Sequence, residues 1–191
     1  MNTYPSAAHV IAETRAWVDR AVIGLNLCPF AKAVQVKGQI RYVLCASAEP
    51  EAVLSALIEE LHALANCAPS ETDTTLLIHP AALNDFLDFN DFLAVVDHTL
   101  DDLGYSGTLQ VASFHPQFQF ADTRPEDVSN ATNRAPYPTL HILREASIDR
   151  AVAAFPDPQA IFAANIDTLE KLGTDGWLAL QQQCRKDAES R

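Results

Sequence analysis

Basic residues are scarce in this chain: 13 Lys and Arg stand against 25 Asp and Glu among 191 residues, a formal net charge of −12. A nucleic-acid binder needs a basic surface to displace counterions, so DNA, RNA and anionic lipid are not expected as partners. No apolar run is long enough to cross a bilayer, and the opening MNTYPSAAHV has no basic start leading into an apolar core. Both features point to a cytoplasmic chain with no membrane partner. The four cysteines, Cys28, Cys45, Cys67 and Cys184, show no C-x-x-C spacing, so neither a zinc knuckle nor a disulfide framework is indicated. Nucleotide loops of the G-x-G-x-x-G and G-x-x-x-x-G-K-[ST] types are missing, as are G-x-S-x-G and H-E-x-x-H. The sequence therefore names no cofactor and no metal, and it leaves the oligomeric state unread.

What is present suffices for a globular core. Hydrophobic residues make up 48% of the chain, and its length fits a single domain over 1–191. Ser6 is an N-cap candidate for a first helix with apolar residues at Val10, Ile11, Trp17, Val18, Ala21 and Leu25. Strand patterns follow in QIRYVLCAS, TTLLIHP, GTLQVASFHP and PTLHILRE. Helical spacing marks PEAVLSALIEELHALANC, the long LNDFLDFNDFLAVVDHTLDDLGY ending near Gly104, SIDRAVAAF, and a closing pair, AIFAANIDTLEKLG and DGWLALQQQCRKDAE. This order predicts an α/β fold: a mixed four-stranded sheet, three strands parallel and one antiparallel, covered by helices, with an N-terminal helix and a C-terminal helical pair.

The carboxyl edge of that sheet is where α/β proteins place ligands. Strand one finishes at Cys45 and Ser47, while strands two and three both run into a His-Pro dipeptide, His79-Pro80 and His115-Pro116. A reversed fourth strand brings Asn133, Arg134 and Tyr137 to the same edge through the long polar segment between His115 and Pro138, which reads as a binding loop or lid. His115 and His79 are candidate acid/base or metal-binding groups. Arg134, with Asn133, Tyr137, Lys32 and Ser47, is the candidate anchor for a carboxylate or phosphate. The plain structural alternatives are that the imidazoles bond loop backbone, and that Asn133 and Arg134 tie the loop. With an acid such as Asp122, the two histidines make a candidate two-His, one-carboxylate metal set if the fold joins them. His141, mid-strand between apolar neighbours, reads as a core histidine, and Tyr137-Pro138 is a candidate cis bond. Arg144 and Arg41 are sent to the opposite edge.

In NLCPFAK, a Cys28 at a helix N-cap followed by Pro29, with Lys32 nearby, has the makings of a stabilised thiolate; a small buried residue closing a turn is the alternative. The tetrapeptide C-P-F-A resembles the active-site segment of glutaredoxins and omega-class glutathione transferases. There, however, the cysteine follows a strand and not a helix, so a thiol redox protein is a minor reading. More of the chain is engaged by a second likeness: GLNLCPFAK, TTLLIHP, DFLDFNDFL, QVASFHPQFQFADT and NATNRAPYPTLHILREAS together resemble a bacterial family catalogued as domain of unknown function 1415. The resemblance implies a shared fold and no stated activity. Its motifs cover Cys28, Pro29, Lys32, His115, Pro116, Asn133, Arg134, Tyr137, His141, Arg144 and Glu145.

Two functional readings stay open. In one, an enzyme acts on a small anionic metabolite held by Arg134, with His115 as acid or base and Cys28 as a nucleophile if the fold brings it close. In the other, a non-catalytic module binds a metabolite, or presents Phe118 and Phe120 to a protein partner.

Overall fold

A computed structural model describes residues 5–153 and 158–190. Helix α1 (Ala7–Trp17) starts where the sequence predicts, with the Ser6 hydroxyl accepting from the His9 amide. It continues into a π-helical turn, Val18–Ile23, that the spacing does not foretell. That wider turn ends at Gly24, where an added Cβ would lie 2.2 Å from the Arg20 carbonyl oxygen, so only glycine fits. A short α2 (Ala31–Val36) leads to β1 (Ile40–Leu44), α3 (Pro50–Asn66), β2 (Thr74–Ile78), α4 (Phe86–Asp102) and β3 (Leu109–Phe114). After the long segment come β4 (Thr139–Arg144), α5 (Glu145–Ala153) and α6 (Pro158–Glu189). Gly173, at φ 70°, breaks α6 into the expected pair. Of the predicted SIDRAVAAF helix, Ala154 and Phe155 lie outside the described residues, and the helix begins at Glu145, directly off β4.

The sheet is four-stranded and mixed, in the order β1-β2-β4-β3. The expectation of three parallel strands is corrected: β4 inserts between β2 and β3, so β1–β2 is the sole parallel ladder and β2–β4 and β4–β3 are antiparallel. Because β2 and β3 are both antiparallel to β4, they still point the same way. The carboxyl ends of β1, β2 and β3 therefore share an edge with the start of β4.

Strand side chains alternate between faces. On one face Leu77, Leu140, Ile142 and Leu109 pack against Val53, Leu57, Leu61 and Leu64 of α3 and Phe89, Phe92 and Val96 of α4. On the other, Leu76, Tyr42 and Phe114 pack against Trp17 of α1 and Leu169, Trp177 and Cys184 of α6, the Trp17 and Phe114 rings meeting edge-on at 5.3 Å. The result is three layers, helix over sheet over helix.

Arg41 and Arg144 lie at the far edge, as the strand directions require, and both serve α3. Arg41 forms a forked pair with Glu60 at 2.7 and 3.0 Å. Arg144 acts as a C-terminal cap, its Nη2 donating to the carbonyl oxygens of Leu64 (2.7 Å), Cys67 (2.8 Å) and Thr72 (3.1 Å). These carbonyls belong to the last turn of α3, to its C-cap and to the connection to β2, so the guanidinium ties the helix end to that connection. Replacing Arg144 with Ala strands them at once and should lower the unfolding free energy by about 2–4 kcal/mol in urea titration. Arg144→Lys, which keeps the charge without the planar fork, should recover less than half of that.

Candidate functional site

The two His-Pro corners do converge, but beneath α4 and not on an open rim. His115 follows Phe114, so alternation turns its ring to the α3/α4 face, and His79 is turned there for the same reason. Both are fully buried. Phe89 separates them, its ring centroid 5.7 Å from His79 and 5.1 Å from His115. Nδ1 of His79 lies 3.1 Å from the Ala82 carbonyl, which can only accept, so this nitrogen carries the hydrogen. Nε2 is buried without a partner among the described residues. For His115, Nδ1 accepts from the Gln117 amide at 3.0 Å and Nε2 donates to the Leu83 carbonyl at 3.2 Å. Burial holds both rings neutral, pushing the His79 pKa down to about 4 and that of His115 downward. Their bonds go to the backbone of the β2–α4 connection and of the β3 corner, so the rings fasten these turns. Among the described residues no group of His, Cys, Asp or Glu could hold a metal ion, which removes the set with Asp122.

His141, mid-strand in β4, is partly buried and finds a side-chain partner. Its Nε2 lies 2.6 Å from Thr74 Oγ1, which in turn donates to the Ile142 carbonyl at 2.6 Å, and burial pushes its pKa down to about 4.

The segment 115–138 is not a structureless lid. It contains a 3₁₀ helix, Val128–Asn133, and is tied by two side chains. Asn130, fully buried, accepts through Oδ1 from the Phe120 amide (3.0 Å) and the Thr123 hydroxyl (2.8 Å), and donates through Nδ2 to the Arg124 carbonyl (2.8 Å). Arg134 donates from Nε to the Phe118 carbonyl at 3.1 Å and from Nη2 to the Pro125 carbonyl at 2.7 Å. Asn133 Nδ2 donates to the Ser113 carbonyl at 3.2 Å. Phe118 and Phe120 do not project as free anchors. They are half-buried rungs of an aromatic ladder, with Phe86–Phe118 at 5.3 Å, Phe118–Phe120 at 4.9 Å and Phe120–Phe162 at 6.1 Å. Among the described residues no peptide bond is cis, so Tyr137-Pro138 is trans.

Other candidates stand apart. Phe30, not Cys28, is the N-cap of α2, so Pro29 is not its first residue. Burial pushes the Cys28 thiol pKa up, against a thiolate, despite the nearby Phe30 and Ala31 amides. All four cysteines are free. Lys32 is exposed on α2, and the Ser47 hydroxyl accepts from the Glu49 amide at 3.1 Å in the turn before α3.

A cleft of about 60 Å³ does open at the carboxyl edge, on the opposite face from the histidines. The loop contributes Pro116, Arg134 and Pro136, α1 contributes Glu13 and Trp17, and α6 contributes Trp177, Gln181, Cys184 and Arg185. The Nη1 of Arg134 has no partner among the described residues. Glu13, buried, accepts from the Tyr137 hydroxyl at 2.6 Å through Oε2, which also lies 3.6 Å from His9; its Oε1 lies 3.4 Å from Arg185 Nε. Burial raises the Tyr137 pKa, and burial also pushes the Cys184 thiol up to about 11, so both are neutral. Arg134 lines this cleft and Tyr137 reaches it through Glu13, whereas Asn133, His79, His115, Cys28, Lys32 and Ser47 do not line it. Glu13, Trp17, Trp177 and Arg185 were not foreseen. One signal was available: Glu13 sits between Val10 and Trp17 on the buried stripe of α1, where a carboxylate needs a reason.

A family model described as "Protein of unknown function (DUF1415)" matches residues 9–179, most of the chain, and the chain belongs to that family. No curated protein and no solved structure matches it. Among the described residues no helix is long and apolar enough to cross a membrane.

The neutral histidines carry a signed consequence. The unfolded chain, with imidazoles near 6.5, binds protons that the folded one refuses until about pH 4. Stability should therefore fall as pH drops from 6.5 towards 4, by about 3 kcal/mol each for His79 and His141. Urea unfolding across that range measures the loss, and imidazole NMR signals should remain those of neutral rings at pH 5.5. Folded-state titration of these rings near 6.5 would contradict the assignment.

Proposed function

We propose that this member of the DUF1415 family is a non-catalytic binder of a small anionic metabolite, with Arg134 as the anchor. The observation that carries this reading is an incompletely used guanidinium in a partly enclosed cleft: Nε and Nη2 of Arg134 fix the loop while Nη1 remains for a ligand. A guanidinium already held in place by two carbonyls loses little freedom on binding, and its fork suits a carboxylate or phosphate oxygen.

Charge supports the same reading. The chain carries −12 overall, yet Arg134 and Arg185 outnumber Glu13 in the cleft. An anion repelled by the protein as a whole is met there by a local excess of positive charge. A volume of about 60 Å³ holds roughly four to six water-sized groups, which selects small metabolites over nucleotides or peptides.

The enzymatic reading has weaker support. His115 has both ring nitrogens committed to backbone groups, His79 is sealed from solvent, and the Cys28 thiol is held protonated. A general acid or base must reach the proton it moves, and none of these groups lines the cleft.

Both tryptophans of the chain, Trp17 and Trp177, line the cleft, so intrinsic fluorescence reports on occupancy. Titration with acetate, propionate or inorganic phosphate should give a saturable change for at least one of them, with Kd on the order of 1 mM, about −4 kcal/mol. Arg185→Gln, at an exposed position, should weaken that binding about threefold to tenfold without unfolding the protein. The absence of any saturable change in wild type would overturn the proposal.

A further inference from the structure

Resting on that reading of Arg134 as the anchor, we infer that the anionic group it holds is the carboxylate of a zwitterion of the size of glycine or alanine, net neutral as a whole, whose ammonium group meets Glu13. A site built only to bind an anion gains nothing from a buried carboxylate, because a like charge nearby opposes the ligand. Glu13 is nonetheless one of the few charged side chains buried in this protein, and it lines the same cleft as Arg134.

The bonding of Glu13 is also incomplete. Oε2 is held firmly by the Tyr137 hydroxyl at 2.6 Å. Oε1 has Arg185 at 3.4 Å, longer than the roughly 2.7–2.9 Å of a charge-assisted hydrogen bond, and that arginine is a mostly exposed side chain. A buried carboxylate oxygen with a distant, exposed counterion has lone pairs to offer a donor. An ammonium group supplies three N–H donors on a compact cation, and it fits where a second guanidinium would not.

The walls agree with this assignment. Trp17 and Trp177 border the cleft, and indole faces attract a cation that has left water. Adding a zwitterion also leaves the local charge balance of Glu13, Arg134 and Arg185 unchanged, whereas a dianion would have to overcome Glu13. Cys184 and Tyr137 are both held neutral by burial and alter nothing in that balance. The small volume limits the substituent on the α-carbon, so glycine and L-alanine are the probes of choice and larger amino acids serve as controls.

The test compares glycine and L-alanine with acetate, propionate and methylammonium by tryptophan fluorescence and calorimetry, on wild type and on Glu13→Gln. Glutamine can still accept from Tyr137, and circular dichroism checks that the variant is folded. Wild type should bind glycine or L-alanine at least about tenfold tighter than acetate and methylammonium. Glu13→Gln should erase that preference while binding acetate as well as, or better than, wild type. If acetate binds as tightly as glycine in wild type, the zwitterion assignment fails and the anion site stands. If no probe binds wild type, both fail. If Glu13→Gln does not fold, the wild-type comparison alone decides.

Discussion

The arrangement depends on a topological constraint: β4 enters the sheet between β2 and β3, antiparallel to both. The chain leaving β3 must therefore travel back along the carboxyl edge before it can enter, and its backbone groups must find partners on the way. Local backbone bonds and several side chains share that demand. Asn130 uses its amide three times, and the guanidinium of Arg134 spans from Phe118 to Pro125. The amides of His79 and His115 close the ends by donating to the Pro138 and Asn133 carbonyls at 3.0 and 3.1 Å. The polarity of the segment is thus largely spent on holding itself together, and one arm of Arg134 is left over.

Alternation along the strands then divides the edge into two chemically different halves. His79 and His115 turn to the α4 side and are sealed against Phe89, while Arg134 opens to the α1/α6 side and meets Glu13. Residues that share an edge need not share a site. The two histidines and the arginine, which would make an active site if combined, lie on opposite sides of the sheet. The α1/α6 face is also where both tryptophans lie, so the cleft at this edge has apolar walls around its charges.

Much of this was legible in the residues. Period-two and period-3.6 patterns located every strand and long helix, Ser6 and Gly104 marked their ends, and the His-Pro doublets pointed to the carboxyl edge. The same alternation could have assigned the faces, since an apolar Phe114 followed by His115 must point opposite ways. Strand order was not readable: nothing in PTLHILRE says whether it lies outside β3 or between β3 and β2, because both neighbours offer the same antiparallel ladder. The π-helical turn after Trp17 has no periodic signature of its own. The cleft was half visible. NRAPYP named Arg134, but its counterpart Glu13 is far away in sequence, and the polar residue on the α1 stripe was the only hint.

Amide hydrogen exchange followed by NMR tests this account most directly, because a self-tied segment and an open lid differ by orders of magnitude in protection. The Phe120, Asn130 and Arg134 amides should exchange nearly as slowly as those of β4 in wild type, and Asn130→Ala should release residues 117–127 while leaving the sheet protected. Rapid exchange across that segment in wild type, at the rate of an exposed loop, would contradict the account.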